Sequence, residues 1–249
     1  NRQVYIRNKE QACAAVGLDH ETYRLPADTP ESALRQLIQQ LNNDRTVSGI
    51  LVQLPLPKSI RESVIIETID PRKDVDCFHP ENIGRLMTGD AIFLPCTPAG
   101  VVELLLRDGL SPEGRHVVIV GRSNIVGKPL ANMLIQKSPR GNATVTLCHT
   151  ATPNLKRFTA EADILIAAVG KPEIITGDMI KHNAVVIDVG INRIADVSSK
   201  SGFRLCGDVH FESACQVASA ITPVPGGVGP MTIVMLLRNT LKAVELQNF

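Results

Sequence analysis

The sequence predicts a two-domain α/β protein whose second domain is a Rossmann-like, doubly wound nucleotide-binding fold. Three observations carry that prediction. Helical spacing of apolar residues alternates with short buried-strand runs along most of the chain, the alternation restarts near Thr97-Pro98, and a glycine-flanked loop at 121–127 falls between a strand pattern and a helix pattern.

Taken in order, apolar spacing predicts helices over residues 4–15 and 31–42, a buried strand over 49–53 and a helix near 59–68. Thr97 followed by Pro98 reads as an N-cap hydroxyl with proline at the first helical position, opening a helix that runs to 107. A β-branched strand at 116–120, a helix at 125–136 and a strand at 144–148 make one βαβ unit. Buried strands follow at 164–168 and 184–188. A last helix, 231–247, is expected to pack back on the first domain. The expected domains are therefore 1–97 with 231–249, and 98–230.

Composition narrows the function. At 44% hydrophobic and 20% charged residues the 249-residue chain is no disordered polymer, and two modest domains can each bury a core. A net charge of +1 gives no electrostatic reason to bind nucleic acid or an anionic membrane, so a small-molecule partner is expected. The longest apolar runs are strand-sized, and no membrane segment or signal-peptide zone is expected. Six scattered cysteines, without a CxxC pair or clustered histidines, predict no metal site and reduced thiols in a cytosolic compartment.

The loop Gly121-Arg-Ser-Asn-Ile-Val-Gly127 stands where a dinucleotide's pyrophosphate meets backbone N–H groups and a helix dipole. Ser123 and Val126 occupy the places where GxGxxG asks for glycine, so an ordinary tight turn is the alternative. The next strand ends in Cys148-His149-Thr150 and offers no acid to a bare ribose. With Arg122 able to pair with a 2′-phosphate, NADP is expected over NAD. The competing reading leaves Arg122 solvated and His149 merely ending the strand.

Tyr5 and Lys9, four apart, share a face if helical, which is either an exposed pair or an aromatic plane beside an amine. Lysine acts as an acid or base near neutrality only when burial or nearby cations lower its pKa, and the amide of Gln53 can orient it without restoring charge. Gln53 precedes Leu54-Pro55-Leu56-Pro57, whose prolines end the strand and can include a cis bond. Asp74 and Asp76 lie on one side if extended, suited to an aminopyrimidine edge; the alternative is a charged loop. Cys96 offers either thiolate character near a helix N-terminus or plain packing. The segment 222–232, rich in glycine and proline, suits close approach by a flat ligand.

Together YIRNK at 5–9, GILVQLPLP at 49–57, KDVD at 73–76, PCTP at 95–98, GRSNIVGKP at 121–129 and PVPGGVGPMT at 223–232 resemble the bifunctional methylenetetrahydrofolate dehydrogenase/methenyltetrahydrofolate cyclohydrolase family. The resemblance covers nearly the whole chain. It implies a folate-binding catalytic domain and an NAD(P)-binding domain flanking a cleft, in a cytoplasmic homodimer. It further implies oxidation of 5,10-methylenetetrahydrofolate with NADP and hydrolysis of the methenyl product to 10-formyltetrahydrofolate. Lys9 would be the acid/base of hydrolysis, Tyr5 would stack on the folate, Gln53 would hold Lys9 and Asp76 would grip the pterin, with Leu54 and the turn Pro225, Gly226, Gly227 and Val228 also meeting substrate. Gly121, Arg122, Ser123, Val126, Gly127, His149, Thr150, Gly170 and Ile191 would form the NADP site.

The sequence departs from the family pattern in three ways. The helix and strand expected ahead of the tyrosine segment are not in it, so the first domain is expected to be incomplete as given. Arg2 stands where the family has serine, and Cys77 where it has glycine. A monofunctional dehydrogenase and a non-catalytic nucleotide-binding protein are the competing functions; Lys9 and Gln53 argue against the first.

Overall fold

The computed structural model describes residues 2–196, 199 and 202–247, with side chains from Ile6 onward. They fall into two compact units, Asn1–Cys96 with Ile233–Phe249, and Thr97–Thr232.

The first unit holds α1 (Arg2–Ala15), α2 (Glu31–Asn43), α3 (Glu62–Thr68) and α4 (Pro80–Thr88). Amphipathic α2 buries Leu34 and Ile38 against Ile50, Ile60, Ile65 and Ile69, a small aliphatic core. Its C-terminal carbonyls are met by Lys73, whose Nζ donates to Leu41 O at 2.9 Å and Asp44 O at 2.7 Å. The α4 helix starts with the His79 ring accepting Glu81 N–H and with Pro80 in its first turn, and it stops at left-handed Gly89.

The strand expected over 49–53 reduces to a single parallel bridge, Ile50 to Asp74, with Ile50 N–H donating to Lys73 O at 2.7 Å. A strand needs a continuous neighbour. Here the partner chain turns away at Asp74, and Pro55 and Pro57 remove the donors that would extend the ladder.

In the second unit, α5 (Cys96–Arg107) leads to β1 (His116–Val120), α6 (Gly127–Ile135), β2 (Thr144–Cys148), α7 (Leu155–Thr159), β3 (Ile164–Ala167) and β4 (Val185–Asp188). After these come β5 (Asn192–Ala195), β6 (Phe203–Cys206), α8 (Phe211–Cys215), β7 (Ala220–Ile221) and α9 (Val228–Gln247). Thr97 lies inside α5 rather than capping it: its hydroxyl is 3.1 Å from that of Thr232, and Pro98 still falls in the first turn, where no N–H partner is needed.

Five strands pair in parallel in the order β2-β1-β3-β4-β7, and β5 and β6 form a separate antiparallel pair. Every residue of β3 and β4 is buried, as continuous Ile/Leu/Val runs in a parallel sheet require. The chain leaves β1 toward β2 on one side and returns to β3 on the other. That reversal opens a crevice at the carboxyl ends of β1 and β3.

The last helix contributes its residues from Ile233 onward to the first unit, as expected. Asn239 donates to Val75 O and Leu94 O, both at 2.8 Å, and Gln247 donates to Ser48 O at 2.7 Å.

Candidate active site

At the crevice of the parallel sheet lies a cavity of about 370 Å³, walled by Gly121, Arg122 and Ser123 after β1, His149, Thr150 and Thr152 after β2, and Ala168, Val169 and Lys171 after β3. Gly121 has φ +128°, and a Cβ there would strike the Ala168 carbonyl; a Cβ at Gly127 would strike the Gly121 carbonyl. Both glycines are thus demanded by close backbone approach. Ser123 explains why glycine is dispensable at the next positions: its Oγ accepts Val126 N–H at 3.1 Å and its carbonyl accepts Lys128 N–H at 3.1 Å, closing the turn into α6. Ile125 and Val126 belong to this turn, so α6 starts two residues later than the apolar spacing predicts.

The side chains lining this cavity include Arg122, His149 and Lys171 and no carboxylate. A phosphate suits such a wall better than a bare ribose diol. His149 is held by three local bonds, its N–H donating to Thr152 Oγ1 at 2.9 Å, its Nδ1 accepting Ala151 N–H at 3.2 Å and its carbonyl accepting Thr152 N–H at 2.8 Å. Val126 and Gly127 shape the loop without lining the cavity, and neither Gly170 nor Ile191 is among its walls. Gly170 N–H is instead bonded to Asp208, and Ile191 is 54% exposed ahead of β5.

The turn 225–228 lies in the same unit, ahead of and into the first residue of α9. Val224–Pro225 is cis, Gly226 has φ +103°, Gly227 fits closely over the Pro223 carbonyl, and Val228 is buried at the start of α9.

In the first unit, Lys9 Nζ donates to Gln53 Oε1 at 3.4 Å, while Gln53 Nε2 donates to Leu54 O at 3.2 Å. The second bond fixes which end of the amide faces the lysine. Leu54–Pro55 is cis. Burial lowers the Lys9 pKa from its ordinary value, against the opposing pull of the Asp76 carboxylate and of Cys96 and Cys13. Asp76 keeps part of its surface toward solvent, yet the atoms packed around it desolvate the carboxyl and push it up to about 6, with Lys9 pulling it down and Asp74 pushing it up.

The carboxylates 74 and 76 do not form a pair on one side, because the segment turns instead of extending. Buried Asp74 accepts Phe78 N–H at 3.1 Å, His79 N–H at 2.9 Å and Asn82 Nδ2 at 2.8 Å, anchoring the turn into α4. Only Asp76 stands beside Lys9. Cys77 follows with φ +60°, a left-handed conformation that accounts for glycine in the family pattern; its buried thiol donates to Phe93 O at 3.3 Å.

Of the two readings of Cys96, plain packing fits the structure and thiolate character does not. Burial, and next the Asp76 carboxylate, raise its pKa well above the ordinary thiol value, and the protonated thiol donates to Val75 O at 3.4 Å. The side chains of Tyr5 and Arg2 lie outside the described residues. Sequence reasoning missed Thr152, Lys171 and the buried carboxylates Asp188 and Asp208; Asp188 was signalled as a lone acid ending an apolar run, whereas no pattern marked Asp208. Among the described residues no cluster of His, Cys, Asp or Glu is arranged to hold a metal.

Residues 95–248 match the family model for the tetrahydrofolate dehydrogenase/cyclohydrolase NAD(P)-binding domain, and residues 1–76 match the model for the catalytic domain of the same family. The chain is 57% identical to the bifunctional protein FolD of Chlorobium chlorochromatii over 99% of this chain and 84% of that protein. Among solved structures it is similar to the bifunctional FolD methylenetetrahydrofolate dehydrogenase/cyclohydrolase of Campylobacter jejuni, with TM-score 0.90, 46% identity, and 98% and 83% of the two chains covered. The Trypanosoma brucei methylenetetrahydrofolate dehydrogenase-cyclohydrolase, solved with NADP and an inhibitor, matches with TM-score 0.92 at 41% identity, over 98% of this chain and 82% of that one.

Proposed function

The chain belongs to the tetrahydrofolate dehydrogenase/cyclohydrolase family, and from that premise we propose how its residues divide the two reactions. The enzyme oxidises 5,10-methylenetetrahydrofolate with NADP and hydrolyses the methenyl product to 10-formyltetrahydrofolate. The residue roles that follow rest on geometry.

The second unit holds the dinucleotide. The pyrophosphate lies against the backbone of Arg122 and Ser123 in the glycine-flanked loop ahead of α6, and Arg122 with His149 and Thr150 recognises the 2′-phosphate of NADP over NAD. When bound, the nicotinamide supplies the hydride acceptor for the folate's one-carbon unit.

The first unit holds the hydrolytic chemistry. Lys9 Nζ, made less basic by burial, takes a proton from the water that adds to the methenyl carbon, and Gln53 Oε1 keeps the amine aimed without adding charge. As the carbon–nitrogen bond to N5 of the folate breaks, the electron pair returns to that nitrogen, which takes the remaining hydroxyl proton of the adduct as the carbonyl forms, and the formyl group remains on N10; the one proton released overall is the one that Lys9 took. Asp76, ionised above about pH 6, accepts N–H bonds from the pterin's aminopyrimidine edge. Leu54 borders the folate, and the stacking role of Tyr5 rests on the family resemblance, its side chain lying outside the described residues.

The observation that carries this reading is the desolvated Lys9 bonded to an oriented amide beside the half-buried Asp76 carboxylate. Lys9→Ala should abolish hydrolysis of methenyltetrahydrofolate, followed by absorbance, while NADPH binding persists. Wild-type hydrolysis in that variant would remove Lys9 from the mechanism. The reading also takes the enzyme as a cytoplasmic homodimer, supported by the family resemblance and by six free cysteines, and sedimentation of the purified protein tests the dimer. Among the described residues no helix is long and apolar enough to cross a membrane.

A further inference from the structure

We infer that Asp208 is a positioning residue for the nucleotide cavity, a buried carboxylate that ties the segment after β3 to the segment that opens β5. This rests on the nucleotide assignment made above.

Asp208 is 0% exposed, and its two oxygens serve different loops. One accepts Val169 N–H at 2.5 Å and Gly170 N–H at 2.9 Å; the other accepts Asn192 Nδ2 at 2.8 Å. Val169 is a wall of the cavity, as is Lys171 on the far side of Gly170. Asn192 begins β5 directly after Ile191 and also donates to Gly207 O at 3.1 Å, so it returns to the strand end that carries Asp208.

A second carboxylate holds the first in place. Asp188, at the end of β4, accepts Asp208 N–H at 3.0 Å, Gly190 N–H at 2.9 Å and Val209 N–H at 2.9 Å. A Cβ on Gly190 would enter the Asp208 carboxylate, and one on Gly207 would enter that of Asp188. The two acids fill the space that two glycines leave. The carboxyl ends of β3 and β4 and the start of β5 are thereby locked at one buried node.

A buried carboxylate costs desolvation that amide donors must offset, and a core whose only task was packing would be served by an apolar side chain. One oxygen of Asp208 instead draws two consecutive N–H groups inward. The backbone of 168–171 then presents its other face to the cavity in one conformation. An asparagine amide at 208 would set a donor against one of those N–H groups or against Asn192, and the wall would lose its anchor.

The test compares NADPH binding, by nucleotide fluorescence, with methenyl hydrolysis, which needs no nucleotide, in the same preparations. In Asp208→Asn the Kd for NADPH should rise about ten-fold or more, hydrolysis should stay within about two-fold of wild type, and amide exchange at 169–170 should quicken. The milder Asn192→Ala should raise the Kd about three-fold and decides the matter if Asp208→Asn does not fold. Unchanged NADPH affinity, or binding and hydrolysis falling in equal proportion, would overturn the inference. Wild-type protein that hydrolyses the methenyl substrate but takes up no NADPH would overturn the nucleotide assignment, and the inference with it.

Discussion

The two candidate sites are built by opposite means. The nucleotide cavity of the second unit is made largely of backbone: it sits at a strand reversal of a regular parallel sheet and depends on Gly121 and Gly127 having no side chain. The hydrolytic site of the first unit is made of side chains, with Lys9 from a helix, Gln53 from irregular chain and Asp76 from a turn, brought together without a strand ladder. The first kind of site tolerates changes of side chain and fails when the backbone is crowded. The second fails when one functional group is removed and leaves the backbone indifferent.

That contrast can be broken most sharply at Gly127. An added methyl has no room beside the Gly121 carbonyl, so Gly127→Ala should weaken NADPH binding roughly 100-fold in a fluorescence titration, while methenyl hydrolysis is retained. Loss of hydrolysis in proportion would show that the units are not independent in this respect. At Arg122 the effect is smaller and selective. Arg122→Gln should raise the Kd for NADP about ten-fold and leave that for NAD unchanged, since one charge-assisted contact to phosphate is removed. Equal loss for both nucleotides would place Arg122 elsewhere.

The smallest effect is expected at Cys77. Its left-handed backbone costs about 1 kcal/mol for a residue with a Cβ, and its thiol contact with Phe93 O partly offsets that. Cys77→Ala keeps the strain and loses the contact, so chemical denaturation should show a loss of about 1 kcal/mol. Cys77→Gly loses the contact and the strain together and should lie nearer wild type. The reverse order would mean that the backbone at 77 is not what selects the residue.

The same contrast explains what could be read in advance. Four of the five parallel strands were legible to within a residue, because strands buried on both faces print as apolar runs such as 164–167 and 184–187, whereas the two-residue β7 was not. The glycine loop was legible in place but not in letters, since Ser123 supplies by a side-chain bond what the usual middle glycine supplies by shape. In the first unit the apolar run 49–53 looked like a strand and is not one, because periodicity reports burial and says nothing about whether a neighbouring strand is present. Spacing offered only that Tyr5 and Lys9 could share a face. The Lys9–Gln53 contact spans 44 positions, and no local pattern announces it; the family resemblance, not periodicity, singled it out. At Cys96 the sequence offered a thiolate near a helix N-terminus or plain packing, and burial beside Asp76 favours the packed, protonated thiol.

In the proposed mechanism hydrolysis depends on a lysine kept weakly basic by burial. The direct measurement is the pH dependence of kcat for methenyl hydrolysis, corrected for the uncatalysed reaction. Burial makes the neutral amine available at lower pH than an ordinary lysine, so the rate should rise with pH to an inflection below 10.5, and Lys9→Ala should lack that limb. Because the Asp76 charge raises the Lys9 pKa, Asp76→Asn should move the inflection lower still. A rate that falls or stays level across this range, or a limb that survives in Lys9→Ala, would contradict the account.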